Sequence, residues 1–159
     1  MINNYDNLNK SITEAYGNTN SILQSYEIFI DNFNKLNDKY KFSVSFSSDY
    51  IFKQLEEIVN SKPRTLNYIP FGIKDIFNTE VLPTEMGSEI WKGFKAGNNA
   101  RIVDEIIFRG GLSFCKTSTA EFAVDYIEEG HTLNPHNIEH ITGTSSAGSA
   151  VAVACGALP

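Results

Sequence analysis

Apolar residues at Ile22, Leu23, Tyr26, Ile28, Phe29, Ile30, Phe33 and Leu36 recur near the helical period and predict one amphipathic helix from Ser21 onward, with Thr19 or Asn20 as its N-cap. Residues 1–18 are rich in Asn and Tyr and show no period, which reads as an arm able to pack on another part of the chain but with no core of its own. The alternation Phe42-Ser-Val-Ser-Phe46 predicts a strand, and Ser48 or Asp49 is placed to cap a second helix through about Val59. Pro63 ends whatever precedes it.

Residues 66–76 read as a buried strand interrupted by Pro70 and Gly72, with Lys74 inside an otherwise apolar run. A lysine there needs an explanation. A Pro/Gly-punctuated loop over 82–97 follows, then a helix over 100–109 with Ile102, Val103, Ile106 and Ile107 on one face, ended by Gly110-Gly111. Residues 112–115 make a short strand, so strand, helix and strand from 68 to 115 suggest a crossover unit in one sheet. A helical turn is expected over 121–126 and a polar loop over 128–141. The run Ala150-Val-Ala-Val-Ala-Cys155 is a helix of small residues, able to approach a sheet closely. Trp91, Phe94 and Tyr126 are read as core, and Glu121 as a residue that orients a neighbouring loop.

A length of 159 residues fits one domain, and 42% hydrophobic and 12% aromatic content suffice for an ordinary core. The net charge of -6 and the scattered basic residues argue against direct nucleic-acid binding. No apolar run reaches the ~18 residues of a membrane span, and the polar start lacks a signal-peptide core, so a cytoplasmic protein without membrane contact is expected. Cys115 and Cys155 sit in apolar settings outside any CxxC pair and read as buried, reduced thiols. His131, His136 and His140 share a loop with no carboxylate or cysteine completing a ligand set, so no metal is expected.

Residues 143–149 combine turn-forming glycines with hydroxyls immediately before a helix. Three serines and two threonines fall within the eight residues from Thr142. Backbone N–H groups at such a helix start can hold developing negative charge. The Gly143-to-Gly148 spacing matches a phosphate loop, but Ser149 and Ala150 stand where Lys and Ser/Thr are required. A nucleophile elbow fails as well, because Ala147 occupies its second glycine position. Taken alone, a Ser-rich N-cap accounts for the loop equally well. Lys74 changes the balance: a desolvated ammonium has a lowered pKa, and a neutral amine can take a proton from a serine hydroxyl without any histidine. On composition alone the default for Lys74 is snorkelling to the sheet edge or pairing with Asp75.

Beyond these local patterns, Tyr68-Ile-Pro-Phe-Gly-Ile-Lys-Asp-Ile76 resembles the lysine strand of the amidase-signature family, and Thr142-Gly-Thr-Ser-Ser-Ala-Gly-Ser-Ala-Val-Ala-Val-Ala-Cys-Gly156 resembles its Gly/Ser-rich signature. Leu82-Pro-Thr-Glu-Met-Gly-Ser88, Cys115-Lys-Thr-Ser-Thr-Ala-Glu-Phe-Ala123 and Asn134-Pro135 are similar to family segments in the same order. The resemblance implies an α/β class fold, an α/β/α sandwich around a mixed central sheet. It divides the chain into an N-terminal arm and helices, 1–66, and the N-terminal part of the domain, 67–159. It further implies a Ser/Ser/Lys triad, with Lys74 as base and Ser145 as the middle serine, held through a cis peptide bond. Gly143, Thr144, Ser146, Gly148 and Ser149 then form the loop around the site. The triad's nucleophile is implied to lie in a glycine-rich turn beyond Pro159, absent from this chain. Three departures stand out: Thr144 and Ala147 replace common small residues, and Asn99 stands where an aspartate often precedes the helix, still able to cap it.

What the resemblance implies for function is hydrolysis of a carboxamide C–N bond in a small-molecule amide, without a cofactor. The chain alone is expected to be an incomplete and inactive portion, partnered by the missing C-terminal portion or by another copy. Two alternatives stand beside it: a non-catalytic remnant or binding module, and a subunit of a glutamine-dependent transfer RNA amidotransferase.

Overall fold

In a computed structural model that describes residues 4–14, 18–124 and 132–159, the apolar stripe after Ser21 becomes the longest helix and the spine of the core. The helices are α1 (Asn4–Glu14), α2 (Thr19–Tyr40), α3 (Ser48–Val59), α4 (Arg101–Phe108) and α5 (Ala147–Ala154); the strands are β1 (Ser43–Phe46), β2 (Pro70–Lys74) and β3 (Leu112–Thr117). Helix α2 is capped by Asn18, whose side chain accepts from the Ser21 N–H, one residue earlier than expected. Its Phe29 and Phe33 bury edge-to-face against Phe114 of β3, with ring centroids 5.4 and 4.9 Å apart. Burial of each such ring is worth about 1.5–3 kcal/mol. The hydrophobic stripe thus fixes where β3 lies.

Residues 4–14 of the expected arm are helical and do pack on the core. They form α1, which packs on α2 through buried Leu8 and Ile12, while the Asn4 N–H donates to Gly156 O (2.9 Å) and ties the two ends of the chain together. Leu8 and Ile12 are four apart, so they share one helical face, a stripe too thin to register as periodicity.

The sheet has order β1-β3-β2, with β1 antiparallel and β2 parallel to β3. It is a small mixed sheet with helices packed on it, the α/β arrangement expected, and β2-α4-β3 is the predicted crossover. Residues before and after 66 share this sheet and one core, since β1 pairs with β3 and α2 packs on Phe114. All of β3 is buried.

Several details differ from expectation. In α4 only Val103 is buried, and Ile102 is 53% exposed. Asn99 does not cap that helix: the N-cap is Ala100, because the Asn99 amide is engaged by the Glu80 N–H and the Asp104 carboxylate. Trp91 and Phe94 are not core; Trp91 ends a short 3-10 turn, Glu89–Trp91, Phe94 follows it, and the two rings pack on each other near the surface with centroids 4.5 Å apart. The expected helical turn after Ala120 is a 3-10 turn, Glu121–Ala123, with left-handed φ at Phe122 and Ala123. Tyr126 and residues 128–131 of the expected loop, His131 among them, lie outside the described residues.

Candidate active site

Two strands and one helix start converge on one face of the sheet. Lys74, the last residue of β2, registers against Thr117 of β3, and α5 packs over both strands. Gly148 permits the approach: a methyl there would sit 2.5 Å from Phe42 O and closer still to the Ser118 backbone. Its own N–H donates to Ser118 O, so at this point the helix meets the end of the strand backbone to backbone. Gly143, at φ 90°, makes the turn into the loop, which leaves the β-branched Thr144 outside the left-handed region.

This packing brings together residues 71 positions apart: Lys74 Nζ lies 2.7 Å from Ser145 Oγ and 2.9 Å from Ser146 Oγ. Ser146 occupies the N-cap position of α5 yet makes no side-chain cap bond; its hydroxyl faces the lysine. That disfavours the reading of the serines as a mere helix cap. Lys74 is part-buried, and desolvation holds its pKa below the usual 10.5. Proton transfer between the amine and either hydroxyl is geometrically possible at these distances.

Ser149, one turn along, shares a hydrogen bond with Thr117 Oγ1 at 2.7 Å. Thr119 Oγ1 donates to Ser145 O at 2.7 Å and fixes the serine's carbonyl. Neither threonine stands out in the sequence, although their alternation along Cys115-Lys-Thr-Ser-Thr119 puts both on the serine side. The N–H groups of Ala147 and Gly148 donate to Thr144 O and Ser118 O, so neither is open to an anion.

Two expectations change here. Every peptide bond among the described residues is trans, Ser145 included, so the cis linkage implied by the resemblance is not found. Trans is the lower-energy form for a non-proline bond by about 3–4 kcal/mol, and with it both serine hydroxyls reach Lys74. Lys74 also does not pair with Asp75. The Asp75 carboxylate turns to the opposite face and meets Lys116 Nζ at 2.9 Å, in a pair whose side chains are 2% and 0% exposed. Lys116 is the fully buried lysine, and the polar stretch of sequence around it gives no sign of that. Cys115 is buried, which pushes its thiol up to about 12, and Cys155 is half-buried; both are free. His136 and His140 are exposed, and among the described residues no three His, Cys, Asp or Glu side chains gather as a metal site.

The chain is similar to the A subunits of glutamyl-tRNA(Gln) amidotransferases. With that of Pseudomonas fluorescens it shares 35% identity over 124 residues, covering 73% of this chain and 26% of that protein. With that of Coxiella burnetii it shares 30% identity over 149 residues, covering 89% and 31%. Its fold superimposes on the peptide amidase of Stenotrophomonas maltophilia with a TM-score of 0.76 and 25% identity, covering 95% of this chain and 34% of that one. The chain therefore spans about a quarter to a third of the length of the relatives it matches. No helix among the described residues is long and apolar enough to cross a membrane. The amidase family model matches residues 24–159, and by that match the chain belongs to the amidase family.

Proposed function

We propose that this chain carries the base and the proton relay of an amide-hydrolysing site. Lys74, as the neutral amine, accepts a proton from Ser145, and Ser145 takes one from a nucleophilic serine as that serine attacks the carboxamide carbonyl. Collapse of the tetrahedral adduct breaks the C–N bond, the relay returns the proton to the departing nitrogen, and water then cleaves the acyl-serine ester. The nucleophile belongs to a glycine-rich turn beyond Pro159, consistent with a chain covering only 26% to 34% of its relatives.

The observation that carries the reading is the 2.7 Å contact between Lys74 Nζ and Ser145 Oγ, made by an amine whose pKa burial lowers. The test is hydrolysis of simple carboxamides by residues 1–159 and by the chain extended through any coding sequence that follows. Activity in the extended form that Lys74→Ala removes supports the reading. Activity in residues 1–159 alone would make a serine of this chain the nucleophile and displace Ser145 from the relay role.

A second reading is favoured by the P. fluorescens and C. burnetii relatives, which are amidotransferase A subunits. In it the same chemistry releases ammonia for an acceptor on transfer RNA held by partner subunits. Co-purification of such subunits with the tagged protein separates the two readings. Both place the protein in the cytoplasm, where its two free thiols stay reduced.

A further inference from the structure

Behind the serine face, Lys116 closes a loop. Its Nζ lies within 3.2 Å of four oxygens: Asp75 Oδ1, Thr84 Oγ1, Phe77 O and Pro83 O. That is more acceptors than an ammonium has protons, all supplied by residues 75–84. Asp75 in turn accepts the Glu85 N–H, its own N–H donates to Thr117 O, and its carbonyl accepts the Met86 N–H. The segment after β2 is thus folded back onto β3 around one buried cation, and Lys74 is the residue immediately before it.

The links continue to the other partner. Met86 O accepts the Phe122 N–H, and Ser88 Oγ donates to Glu121 Oε1 at 2.6 Å. The same stretch of chain holds Thr119, whose hydroxyl bonds Ser145 O. One buried ammonium therefore tethers the residues that flank both Lys74 and the support of Ser145.

We propose that Lys116, through its buried pair with Asp75, is a positioning residue that holds Lys74 in register with Ser145 from the opposite face of the sheet. The proposal rests on Lys74 and Ser145 being base and relay. Lys116 touches neither side chain, and burial lowers its pKa while Asp75 opposes the shift, so it is spent on the loop and unavailable as a base. A chain that merely needed stability could place apolar residues at both positions, since a buried ion pair is commonly replaceable by well-packed hydrophobes. A positioning role predicts that such a replacement restores the fold and not the alignment.

The readout is the titration of Lys74 itself, followed by NMR in lysine-labelled chain with the resonance assigned through Lys74→Arg. The elements around Lys74 bring Asp75 and Glu85, both engaged elsewhere, Lys116 on the opposite face, the Cys115 thiol of β3, which burial pushes up to about 12, and no titratable group from α5 or residues 142–146. In wild type Lys74 is expected to titrate below 10.5, because burial lowers its pKa. In the apolar double variant Asp75→Leu/Lys116→Met, folded by circular dichroism, Lys74 is expected to swing into solvent and return to the ordinary lysine value. Unchanged titration in that folded variant overturns the proposal. If the double variant does not fold, Lys116→Arg keeps the charge on Asp75 but cannot gather the same four oxygens; an upward shift of Lys74 supports the proposal and no shift overturns it. Where hydrolysis is measurable in the extended chain, kcat is expected to fall about 10- to 100-fold with KM little changed. Failure of the amidase reading shows separately, as hydrolysis indifferent to Lys74→Ala with the titration result untouched.

Discussion

Lys74 and Lys116 lie on neighbouring strands, with Ile73 and not Lys74 opposite Lys116, and their side chains leave the sheet on opposite faces. Lys74 is part-buried among hydroxyls that cannot neutralise it, whereas Lys116 is wholly buried against a carboxylate. Burial lowers both pKa values, but only Lys116 has a counter-ion opposing the shift. The difference teaches that burial alone does not make a lysine a base. Lys116 too has a hydroxyl partner, Thr84, but its ammonium is held by the Asp75 carboxylate; Lys74 has hydroxyl partners and a lowered pKa that no anion restores.

The comparison breaks if the two lysines respond alike to removal. The largest effect expected is on hydrolysis by the extended chain: Lys74→Ala should cost about 10²- to 10⁴-fold in rate, with a melting temperature close to wild type. Ser145→Ala should fall in the same range. Ser146→Ala, which removes the more exposed hydroxyl at 2.9 Å, should cost about tenfold at most, and equal losses at the two serines would reassign the relay. Lys116→Met inverts the pattern. Leaving the Asp75 carboxylate buried and unpaired should destabilise the fold by about 3–5 kcal/mol in urea unfolding, against about 0.5 kcal/mol or less for Lys74→Met. Next in size is Gly148→Ala, which pushes a methyl into the backbone of Phe42 and Ser118; a loss of about 1–3 kcal/mol is expected, together with a longer Lys74–Ser145 separation in a crystal structure.

How well the sequence foretold these features depends on where each signal resides. α2, α3 and the β2-α4-β3 crossover were readable because period, caps and Gly/Pro punctuation are local. The Lys74–Ser145 meeting was readable only through the resemblance, since nothing local tells a lysine in an apolar strand where a loop 71 residues later will lie. α1 escaped because Leu8 and Ile12 alone carry its stripe. Lys116 escaped because burial of β3 comes from neighbours on both sides of the strand, while its own stretch, Lys-Thr-Ser-Thr, looks solvated. Trp91 and Phe94 misled in the other direction: aromatic composition suggests core, yet each found its partner in the other at the surface.

The smallest effect expected, and the sharpest on the contrast between the lysines, is the pH dependence of stability. Burial depresses the folded-state pKa of Lys74 below the 10.5 of the unfolded chain. The unfolded state therefore binds the extra proton, so the charged amine disfavours folding at neutral pH, and that penalty fades as pH rises through the folded pKa toward 10.5. Urea midpoints of wild type and Lys74→Met, compared from about pH 8 to about pH 10.5, should show wild type gaining on the variant as pH climbs. Because the variant retains every other titrating group, their contributions cancel in the difference. A difference flat across the range would mean that folded Lys74 is hydrated like a surface lysine, leaving pairing as the only distinction from Lys116. A trend of opposite sign would mean that an anion stabilises its ammonium and raises its pKa, which would make Lys74 a poorer acceptor of the serine proton than an ordinary lysine.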